Sequence, residues 1–488
     1  MITFVSCIVL LVLGYLFYGK FVEKKLIAAD PARRTPAQIH ADGVDFKELP
    51  PWRIFIIQFL NIAGLGPIFG AILGAAYGPM AYVWIVLGCI FMGAVHDYFA
   101  GMMSMRRGGR GIPSVIGLYL GKTVRIIMTV FTALLLVGIG CSFVTGPADL
   151  LNTIAPVNKL FWVIIIFVYY ILATLVPIDK IIGRIYPWLG AVLLFMAVAI
   201  GFSLIIKGLN GSVTLTELTF DNMRNFHSNP ERFHLFPMLF IVISCGAISG
   251  FHSTQSPIMA RCLGNEKYGR PVFYGAMICE GIVATIWATA AMAYTGGPDG
   301  LNAAAAAGST PAILVNAICK DWLGAVGAIV AILGVIACPI TSGDTAFRSL
   351  RLILADAFNI NQKPIPNRIM LALPIFIVAV LVCTFDFSTI WNYVGISNQV
   401  LATIVLWSAT RYLYRKGNSP LFTAIPAVFL TYVCACYFMV APYKAGGLQL
   451  PMTAGHIVAA VITIAVTLLF MYYSTLPLRR AHRRKKIV

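Results

Sequence analysis

Residues 61–70 read NIAGLGPIFG and place three glycines and a proline inside a long apolar segment. Gly costs about 1 kcal/mol and Pro about 3 kcal/mol relative to Ala in a helix interior. A segment that served only as a lipid anchor would avoid both residue types. Gly64, Gly66 and Pro67 therefore predict an interruption of this helix, although glycines also permit close helix packing. An interrupted helix frees backbone N–H and C=O groups that can bind a solute.

The composition predicts an all-α polytopic membrane protein. Of the 488 residues, 59% are hydrophobic and only 11% are charged, and the mean hydropathy is +0.85. These values exclude a soluble globular domain, whose surface must be largely polar. The apolar segments are continuous and do not alternate over ten residues, so a membrane β-barrel is excluded as well.

Windows of about 20 apolar residues predict thirteen transmembrane helices. The first window has no basic start and no small-residue cleavage site, so it is expected to be a retained helix and not a signal peptide. The windows lie near 2–18, 54–79, 80–104, 124–145, 160–177, 186–206, 235–260, 271–294, 322–351, 369–384, 389–410, 420–441 and 453–476.

The order of these windows predicts five parts of the chain. Two sets of five helices are preceded by a leading helix and followed by two more. The parts are a leading helix with a cytoplasmic loop (1–53), a first repeat (54–206), an extracytoplasmic loop (207–234), a second repeat (235–411), and two helices with a basic tail (412–488).

The distribution of positive charge predicts the orientation. With the N-terminus outside, all but six of the 36 Lys and Arg residues fall on the inner side, as the positive-inside rule requires. We expect a multi-pass protein of a prokaryotic cytoplasmic membrane with its C-terminus inside. This topology and attraction to anionic lipids explain the net charge of +18 without a nucleic-acid partner. The six outer residues are Lys159, Lys207, Arg224, Arg232, Lys320 and Lys444.

Several function classes lack their motifs in this sequence. The eleven cysteines form no C-x-x-C pair, and there is no nucleotide-binding G-x-x-x-x-G-K-[ST] loop. We predict no disulfide framework, no metal site, no cofactor and no ATP-driven pump. A membrane enzyme with His96, Asp97, His252 and Glu280 as metal ligands is the weakest alternative, because their spacing matches no metal motif.

An internal repeat is indicated by two short segments. GIPSVIGLYLGK (111–122) and STPAILVNAICK (309–320) share the same interval from Pro to Lys, and they are predicted on opposite sides of the membrane. A glycine-broken span precedes each of them, NIAGLGPIFG in the first case and ISCGAISGFHSTQSP (243–257) in the second. Five spans in each of two opposite orientations form an inverted repeat, which is typical of secondary transporters.

A set of further motifs is similar to a known family. The stretches are RTPAQIHADGVDF (34–46), AGLGPIFG (63–70), MRRGGR (105–110), SCGAISGFH (244–252), PITSGDTAFRS (339–349) and the SNQ of WNYVGISNQ (391–399). In this order, over residues 30–415, they resemble the carbon starvation protein A (CstA) family. The resemblance implies the amino acid–polyamine–organocation superfamily, a LeuT-like five-plus-five core whose first and sixth helices are discontinuous, and ion-coupled uptake of peptides or pyruvate.

The predicted substrate site is formed by the two breaks and the polar residues beside them. A substrate carboxylate is expected to accept hydrogen bonds from backbone N–H groups of the second break together with Ser249 or Ser253. His252 has three interpretations that one sequence does not separate: it binds substrate, carries a proton or caps a helix end. The candidate set is Asn61, Gly64, Gly66, Gly246, Ser249, His252, Ser253, Gln255, Asn398 and Gln399.

Ionisable residues inside predicted spans are candidates for proton coupling, because an unpaired charge in a membrane is costly. The candidates are Glu280, Asp97, His96 and Asp344. Glu280, well inside its span, is the strongest proton carrier. Asp97 is expected to contact Arg106 or Arg107, while Asp344 and Arg348 are four residues apart and could pair on one helix face.

A sodium ion is the alternative coupling ion. The TSGDT run (341–345) offers hydroxyl oxygens, which suit a hard cation. The resemblance to LeuT-like folds implies that this span meets the first broken helix at a cation site. The candidate ligands are Ala63, Thr341, Ser342 and Thr345. Such hydroxyls in membrane helices often bond only to their own helix.

The sequence therefore predicts a secondary active transporter and no enzyme. It would import a small carboxylate such as pyruvate, or short peptides, by proton-coupled alternating access. The alternatives are a sodium-coupled transporter and a membrane sensor or scaffold that kept the fold and lost transport, with the loop 20–53 and the basic tail contacting a partner.

Overall fold

The computed structural model describes residues 1–155, 157–175, 182–385 and 387–485, and it is all-helical across these ranges. The predicted span 160–177 therefore ends outside the described residues. The helices of the first half are α1 (Ile2–Leu13), α2 (Pro36–Ile39), α3 (Pro51–Ile62), α4 (Ala71–Ala75), α5 (Met80–Gly88), α6 (Ala94–Met105), α7 (Ile112–Leu120), α8 (Lys122–Ile154), α9 (Lys159–Leu175) and α10 (Ile182–Leu209).

Among the described residues of the second half there are nine more α-helices. They are α11 (Leu235–Val242), α12 (Gly250–Ala260), α13 (Gly275–Thr295), α14 (Pro298–Ala306), α15 (Pro311–Phe358), α16 (Ile365–Val382), α17 (Phe387–Lys416), α18 (Leu421–Val440) and α19 (Met452–Lys485). Short π-helical segments extend or join several of these helices, at Gly14–Gly19, Val22–Ile27, Gly66–Gly70, Cys89–Gly93 and Arg270–Tyr274.

The first predicted break is confirmed. Helix α3 ends at Ile62, and Ala63 leaves the helical conformation with a ψ of 34°. The chain becomes helical again at Gly66–Gly70. Pro67 lies in the first turn of this segment, where an N–H group would have no acceptor within the helix, so the proline loses no hydrogen bond. The two parts meet at an angle of 54°, so residues 63–65 interrupt one membrane-spanning segment.

The second predicted break is confirmed as well. Helix α11 ends at Val242, and α12 begins at Gly250. Gly246 lies between them with a φ of +90°, a conformation that favours glycine because a Cβ atom would be strained there. Seven residues thus separate two short helices within the predicted span 235–260.

The protein is a multi-span membrane protein, but fewer helices than predicted meet the length and hydropathy of a span. Nine described helices do so, or up to eleven when two bent pairs are counted. Lys159–Ala173 is shorter than a full span, and α17 carries polar amides that lower its hydropathy. Thirteen spans therefore stay a prediction. The nine are Ile2–Ile27, Met80–Met105, Lys122–Asn152, Ile182–Leu209, Glu266–Thr295, Gly327–Phe358, Ile365–Val382, Leu421–Val440 and Met452–Ser474.

One connecting loop is anchored by a buried ion pair. Asp45, in the loop between α2 and α3, is 2% exposed. Its Oδ1 lies 3.3 Å from Arg348 Nη1 and 3.6 Å from Arg351 Nη2, both on α15. Burial alone would raise the pKa of Asp45, but these two guanidinium groups, together with that of Arg261, outweigh it and hold this pKa below its ordinary value. The loop is thereby fixed against the end of α15.

Asp45→Asn should lower the apparent melting temperature of the purified protein. The substitution leaves two buried guanidinium groups without their carboxylate, and breaking a buried pair in this way costs about 3–5 kcal/mol. Since the pKa of Asp45 is lowered on folding, its contribution is present at neutral pH and is lost as the pH falls through the folded value. The difference between wild type and variant should shrink in acid.

Asp30→Asn is the matched control. Asp30 is 47% exposed and lies 3.8 Å from Arg33, and exposed pairs of this kind contribute about 0–1 kcal/mol. Equal melting temperatures for wild type and Asp45→Asn at neutral pH would show that the loop is held by something other than this ion pair.

Candidate functional site

The two breaks meet each other inside the protein. A Cβ atom placed on Gly66 would overlap the Cβ and Sγ of Cys245, and one placed on Gly246 would lie 3.8 Å from the Cα of Pro67. The absence of a side chain at Gly66 therefore allows the second break to approach the first. The indole N–H of Trp84 also donates to the carbonyl of Ile243, at 3.0 Å, and fixes the end of α11.

A cavity of ≈ 290 Å³ opens beside the contact between the breaks. Aromatic rings form much of its wall, and a few polar side chains interrupt them, an arrangement typical of small-molecule sites. Gly66 and Cys245 line the cavity where the breaks meet, and the exposed side chains of Arg232 and Lys444 line it as well. The principal lining residues are Phe143, Phe251, Trp391, Ser142, Asn392, Asn398, His227, Arg232 and Lys444.

A chain of buried ionisable side chains adjoins the second break. His252 Nδ1 lies 3.0 Å from Asp97 Oδ2, and the other carboxylate oxygen of Asp97 lies 2.8 Å from His96 Nδ1. On the opposite edge of the ring, His252 Nε2 lies 3.4 Å from Glu280 Oε2. The backbone N–H of Gly246 donates to Glu280 Oε1 at 3.2 Å. The four side chains are 0% exposed.

Three helices bring these groups together. His96 and Asp97 lie in the first turns of α6, His252 lies in the first turn of α12, and Glu280 lies in α13. Because Glu280 also accepts a hydrogen bond from Gly246, the ionisable chain is attached directly to the broken backbone. A change in the break and a change in protonation are therefore structurally linked.

The expectation that Asp97 contacts Arg106 or Arg107 is wrong. Arg106 instead donates to Glu266, at 3.0 and 2.8 Å, and to the hydroxyl of Tyr412. Asp97 is further inside the protein and pairs with two histidines. Sequence proximity suggested the arginine, but the helix places Asp97 on the face that packs against α12.

Asp344 lies apart from this chain. It accepts a hydrogen bond of 2.5 Å from the hydroxyl of Tyr186, on α10. Arg348, the expected partner of Asp344, binds Asp45 and the carbonyl of Ala173. Of the four predicted proton-coupling residues, the structure thus brings together Glu280, Asp97 and His96, and it adds His252.

The predicted substrate residues fall into three groups. Gly66 and Asn398 line the cavity. The side chains of Asn61 and Ser249 are buried and have no hydrogen-bond partner within the described part of the chain. The others are engaged elsewhere: Gly64 packs against Phe143, Gly246 binds Glu280, Ser253 donates to Gly250, Gln255 donates to Thr254, Gln399 donates to Phe240, and His252 joins the ionisable chain.

One of the predicted cation ligands on α15, Ser342, bonds to the end of the first broken helix, next to Ala63. Ser342 donates to the carbonyl of Leu60 at 3.1 Å, and the thiol of Cys338 donates to the carbonyl of Ala63 at 2.7 Å. Thr341 and Thr345 donate to carbonyls of their own helix. The carbonyl oxygens of Leu60 and Ala63 therefore accept hydrogen bonds from protein side chains, where a bound cation would otherwise be coordinated.

Sequence reasoning missed the walls of the cavity. Phe143, Phe251 and Trp391 belong to three different helices, and an aromatic residue within an apolar span carries no signal of its own. Cys245 belongs to the same missed set: it touches Gly66 and is half-buried at the cavity. Its position inside the SCGAISG run was the one available signal.

Two broken helices that meet at a cavity, beside buried ionisable groups, define the class of membrane transporters with discontinuous helices. A sequence model described as "Carbon starvation protein CstA" matches residues 1–157, 133–322 and 288–436. The chain belongs to this family, and it is a transporter and not an enzyme.

Relatives cover much of the chain. An uncharacterised membrane protein of Haemophilus influenzae is 42% identical over 355 residues, which are 63% of this chain and 95% of that protein. The peptide transporter CstA of Campylobacter jejuni is 26% identical over 94% of this chain and 82% of its own length. The pyruvate/proton symporter BtsT of Escherichia coli is 27% identical over 59% of this chain, and this chain matches 48% of that protein.

Solved structures with low sequence identity share the fold. A Na⁺-coupled sialic acid symporter in a substrate-bound outward-open state has a TM-score of 0.55 and 11% identity, with 98% of this chain and 97% of that chain covered. A mutant manganese transporter of Eremococcus coleocola has a TM-score of 0.50 and 12% identity, with 90% and 99% covered. At these identities the likeness concerns the fold alone.

Gly66→Ala should destabilise the protein by forcing the two breaks apart. The added methyl group meets Cys245, and overpacking of this kind costs about 1–3 kcal/mol. Thermal unfolding of the purified variant, followed by tryptophan fluorescence, should begin at lower temperature than in wild type. Adding Cys245→Gly removes the overlapping atoms and should restore part of the loss.

Gly334→Ala is the control. Gly334 lies in helix α15, and a Cβ atom added there would have its nearest neighbour at 3.7 Å. It should leave stability unchanged or raise it slightly. If Gly66→Ala unfolds at the wild-type temperature, the close contact between the breaks does not exist in solution.

Proposed function

We propose that this protein is a secondary transporter that imports a small carboxylate, such as pyruvate, or short peptides together with protons. The observation that carries the proposal is the buried chain His96–Asp97–His252–Glu280 attached to the second break, next to the cavity. The substrate classes come from relatives, because the family includes peptide transporters and a pyruvate/proton symporter.

The cavity suits an anionic substrate that enters from the outer side. Arg232 and Lys444 line the cavity and are exposed to solvent, and such positive side chains attract carboxylates and raise the rate of encounter. Asn398, which is buried, and Asn392 supply amide groups between the aromatic walls. The cavity volume of ≈ 290 Å³ is at the lower end for ligand sites and fits a small substrate or a short peptide.

Proton coupling is favoured over sodium coupling by the hydrogen bonds at the two breaks. A carboxyl group that can be protonated, Glu280, faces a histidine ring across 3.4 Å without a formed hydrogen bond. At the first break, by contrast, Cys338 and Ser342 donate to the carbonyls that would bind sodium. A proton arriving at the His252–Glu280 pair would change its charge and thereby the hydrogen bond to Gly246.

The five-plus-five inverted repeat is supported by a similar arrangement in the two halves, where a short helix is followed by a glycine with positive φ and then by a long helix. Helix α7 is short and ends at Leu120; Gly121 follows with a φ of +106°, and the long α8 begins after it. In the second half, α15 is interrupted at Gly324, with a φ of +68°, after a similarly short segment that begins at Pro311. Within this proposal, residues 54–206 and 235–411 are the two repeats, and 1–53, 207–234 and 412–488 are additions to them.

The orientation in a prokaryotic cytoplasmic membrane is part of the proposal. The N-terminal amino group and Thr3 bind Glu217, so the N-terminus lies at the end of the protein that carries the loop 207–234. Arg106 binds the carbonyls of Ile27 and Ala28 at the other end, where basic residues are concentrated. The positive-inside rule then makes the second end cytoplasmic.

The proposal is tested with purified protein in liposomes. Labelled pyruvate and labelled di- and tripeptides should accumulate when the outside is more acidic than the lumen, and sodium should not replace the pH gradient. Glu280→Gln should abolish the gradient-driven uptake, because the amide cannot release a proton. It should still exchange labelled for unlabelled substrate across the membrane, since exchange requires no net proton movement.

Asp149→Asn is the control for loss of a carboxylate, because Asp149 forms an exposed pair with Lys159. This variant should transport substrate as wild type does. Wild-type accumulation by Glu280→Gln would refute the proposed role of Glu280. Binding of substrate to the wild-type protein without flux would instead favour the sensor or scaffold that keeps the same fold.

A further inference from the structure

We propose that Cys245, His252 and Glu280 form a binding site for a divalent transition-metal ion of the Zn²⁺ class. One donor atom from each residue, a sulfur, an imidazole nitrogen and a carboxylate oxygen, lies within 4.8 Å of the other two. The sequence prediction of no metal site considered spacing along the chain, whereas these ligands come together through a break and a neighbouring helix.

The separations are close to those of a tetrahedral site. With bonds of about 2.0–2.3 Å, two ligands of a tetrahedral zinc ion lie roughly 3.6 Å apart. His252 Nε2 and Glu280 Oε2 are 3.4 Å apart, so this pair already has the required spacing. Cys245 lies on the second break, and its sulfur is within 4.8 Å of the other two ligand atoms, so a metal ion would have to draw it closer by about 1 Å.

Both atoms of that pair are available to a ligand. His252 Nε2 and Glu280 Oε2 are buried, and neither has a hydrogen-bond partner in the ranges that the structure describes. Buried polar atoms without partners are costly, and each one calls for an explanation. A metal ion would satisfy the nitrogen and the oxygen at the same time.

The surrounding contacts are those that hold metal ligands in place. A histidine that binds a metal usually bonds through its other ring nitrogen to a carboxylate, which fixes the tautomer and the direction of the ring. Here Asp97 holds His252 Nδ1 at 3.0 Å, and the N–H of Gly246 holds the second oxygen of Glu280 at 3.2 Å. His96 holds Asp97 in turn.

The chemistry of the donors selects the ion. A thiolate with an imidazole suits Zn²⁺ and similar ions, while Mg²⁺ and Ca²⁺ prefer oxygen ligands. A thiolate and a carboxylate together balance the charge of a divalent ion. Cys245 lines the cavity, so an ion can enter from there and keep a water molecule as its fourth ligand.

A metal ion bound at this site would prevent Glu280, the proposed proton carrier, from binding a proton. The ion would use the same nitrogen and oxygen atoms that face each other across the His252–Glu280 gap. External Zn²⁺ should therefore block proton-coupled uptake. This one consequence rests on the proposed function. Binding itself requires no transport, so its failure and the failure of the proposed function are distinguishable.

The test is the titration of Co²⁺, and then Zn²⁺, into the purified full-length protein. Co²⁺ reports a thiolate ligand through a sulfur-to-metal charge-transfer absorption band. Wild type should bind one ion per chain and show the band, Zn²⁺ should displace the Co²⁺, and Mg²⁺ should not. Cys245→Ser should lose the band and bind Co²⁺ at least about tenfold more weakly, because it removes a ligand, and changes to the residues that merely hold the ligands already weaken binding by about 10–100-fold.

Cys319→Ser is the control, since Cys319 is a buried thiol on α15 outside the proposed site. It should bind Co²⁺ and show the band as wild type does. Asp97→Asn should keep the band and weaken binding by about 10–100-fold. Absence of the band in wild type, or its persistence in Cys245→Ser, would overturn the proposal. Cys245→Ala gives the same decision if the serine variant does not fold.

Discussion

The close approach of Gly66 to Cys245 is the contact on which the rest of the site depends. It requires a residue without a side chain on one break, and it brings the backbone of the second break against Pro67. Once these segments touch, the ends of four short helices surround one small volume. The cavity, the carbonyls at the end of α3 and the attachment of Glu280 to Gly246 all follow from that arrangement.

Burial explains why the ionisable residues form a connected group. An isolated charge inside a membrane protein is expensive, so Asp97 is placed between two histidines and Glu280 is placed beside a ring and a backbone N–H. The gap between His252 and Glu280 is the one link of this chain that no formed hydrogen bond closes among the described residues. A proton or a metal ion would act at that link.

The breaks could be predicted from the sequence because their cause is local. Gly64, Gly66 and Pro67 weaken one helix by their own conformational preferences, and Gly246 and Gly250 do the same in the second. Glu280 was identified for a similar reason, since one carboxylate in an apolar span is costly wherever it lies. None of these inferences needed the partner residue.

The partners themselves could not be predicted, because they are distant in sequence. Asp97 and His252 are 155 residues apart, and Tyr186 and Asp344 are 158 apart. Sequence proximity therefore predicts an arginine as the partner of Asp97, and the four-residue spacing on a helix predicts that Asp344 pairs with Arg348. Tertiary packing provided closer groups in both cases. The aromatic wall of the cavity escaped prediction because apolar residues in spans are common.

The central claim is that substrate and proton move together through the site between the two breaks. Its most direct test is the pH of the lumen of liposomes that contain the protein and a trapped pH-sensitive dye, with no pH gradient at the start. The account predicts that adding pyruvate or a short peptide outside acidifies the lumen as the substrate enters. Entry of the substrate without acidification of the lumen would contradict it.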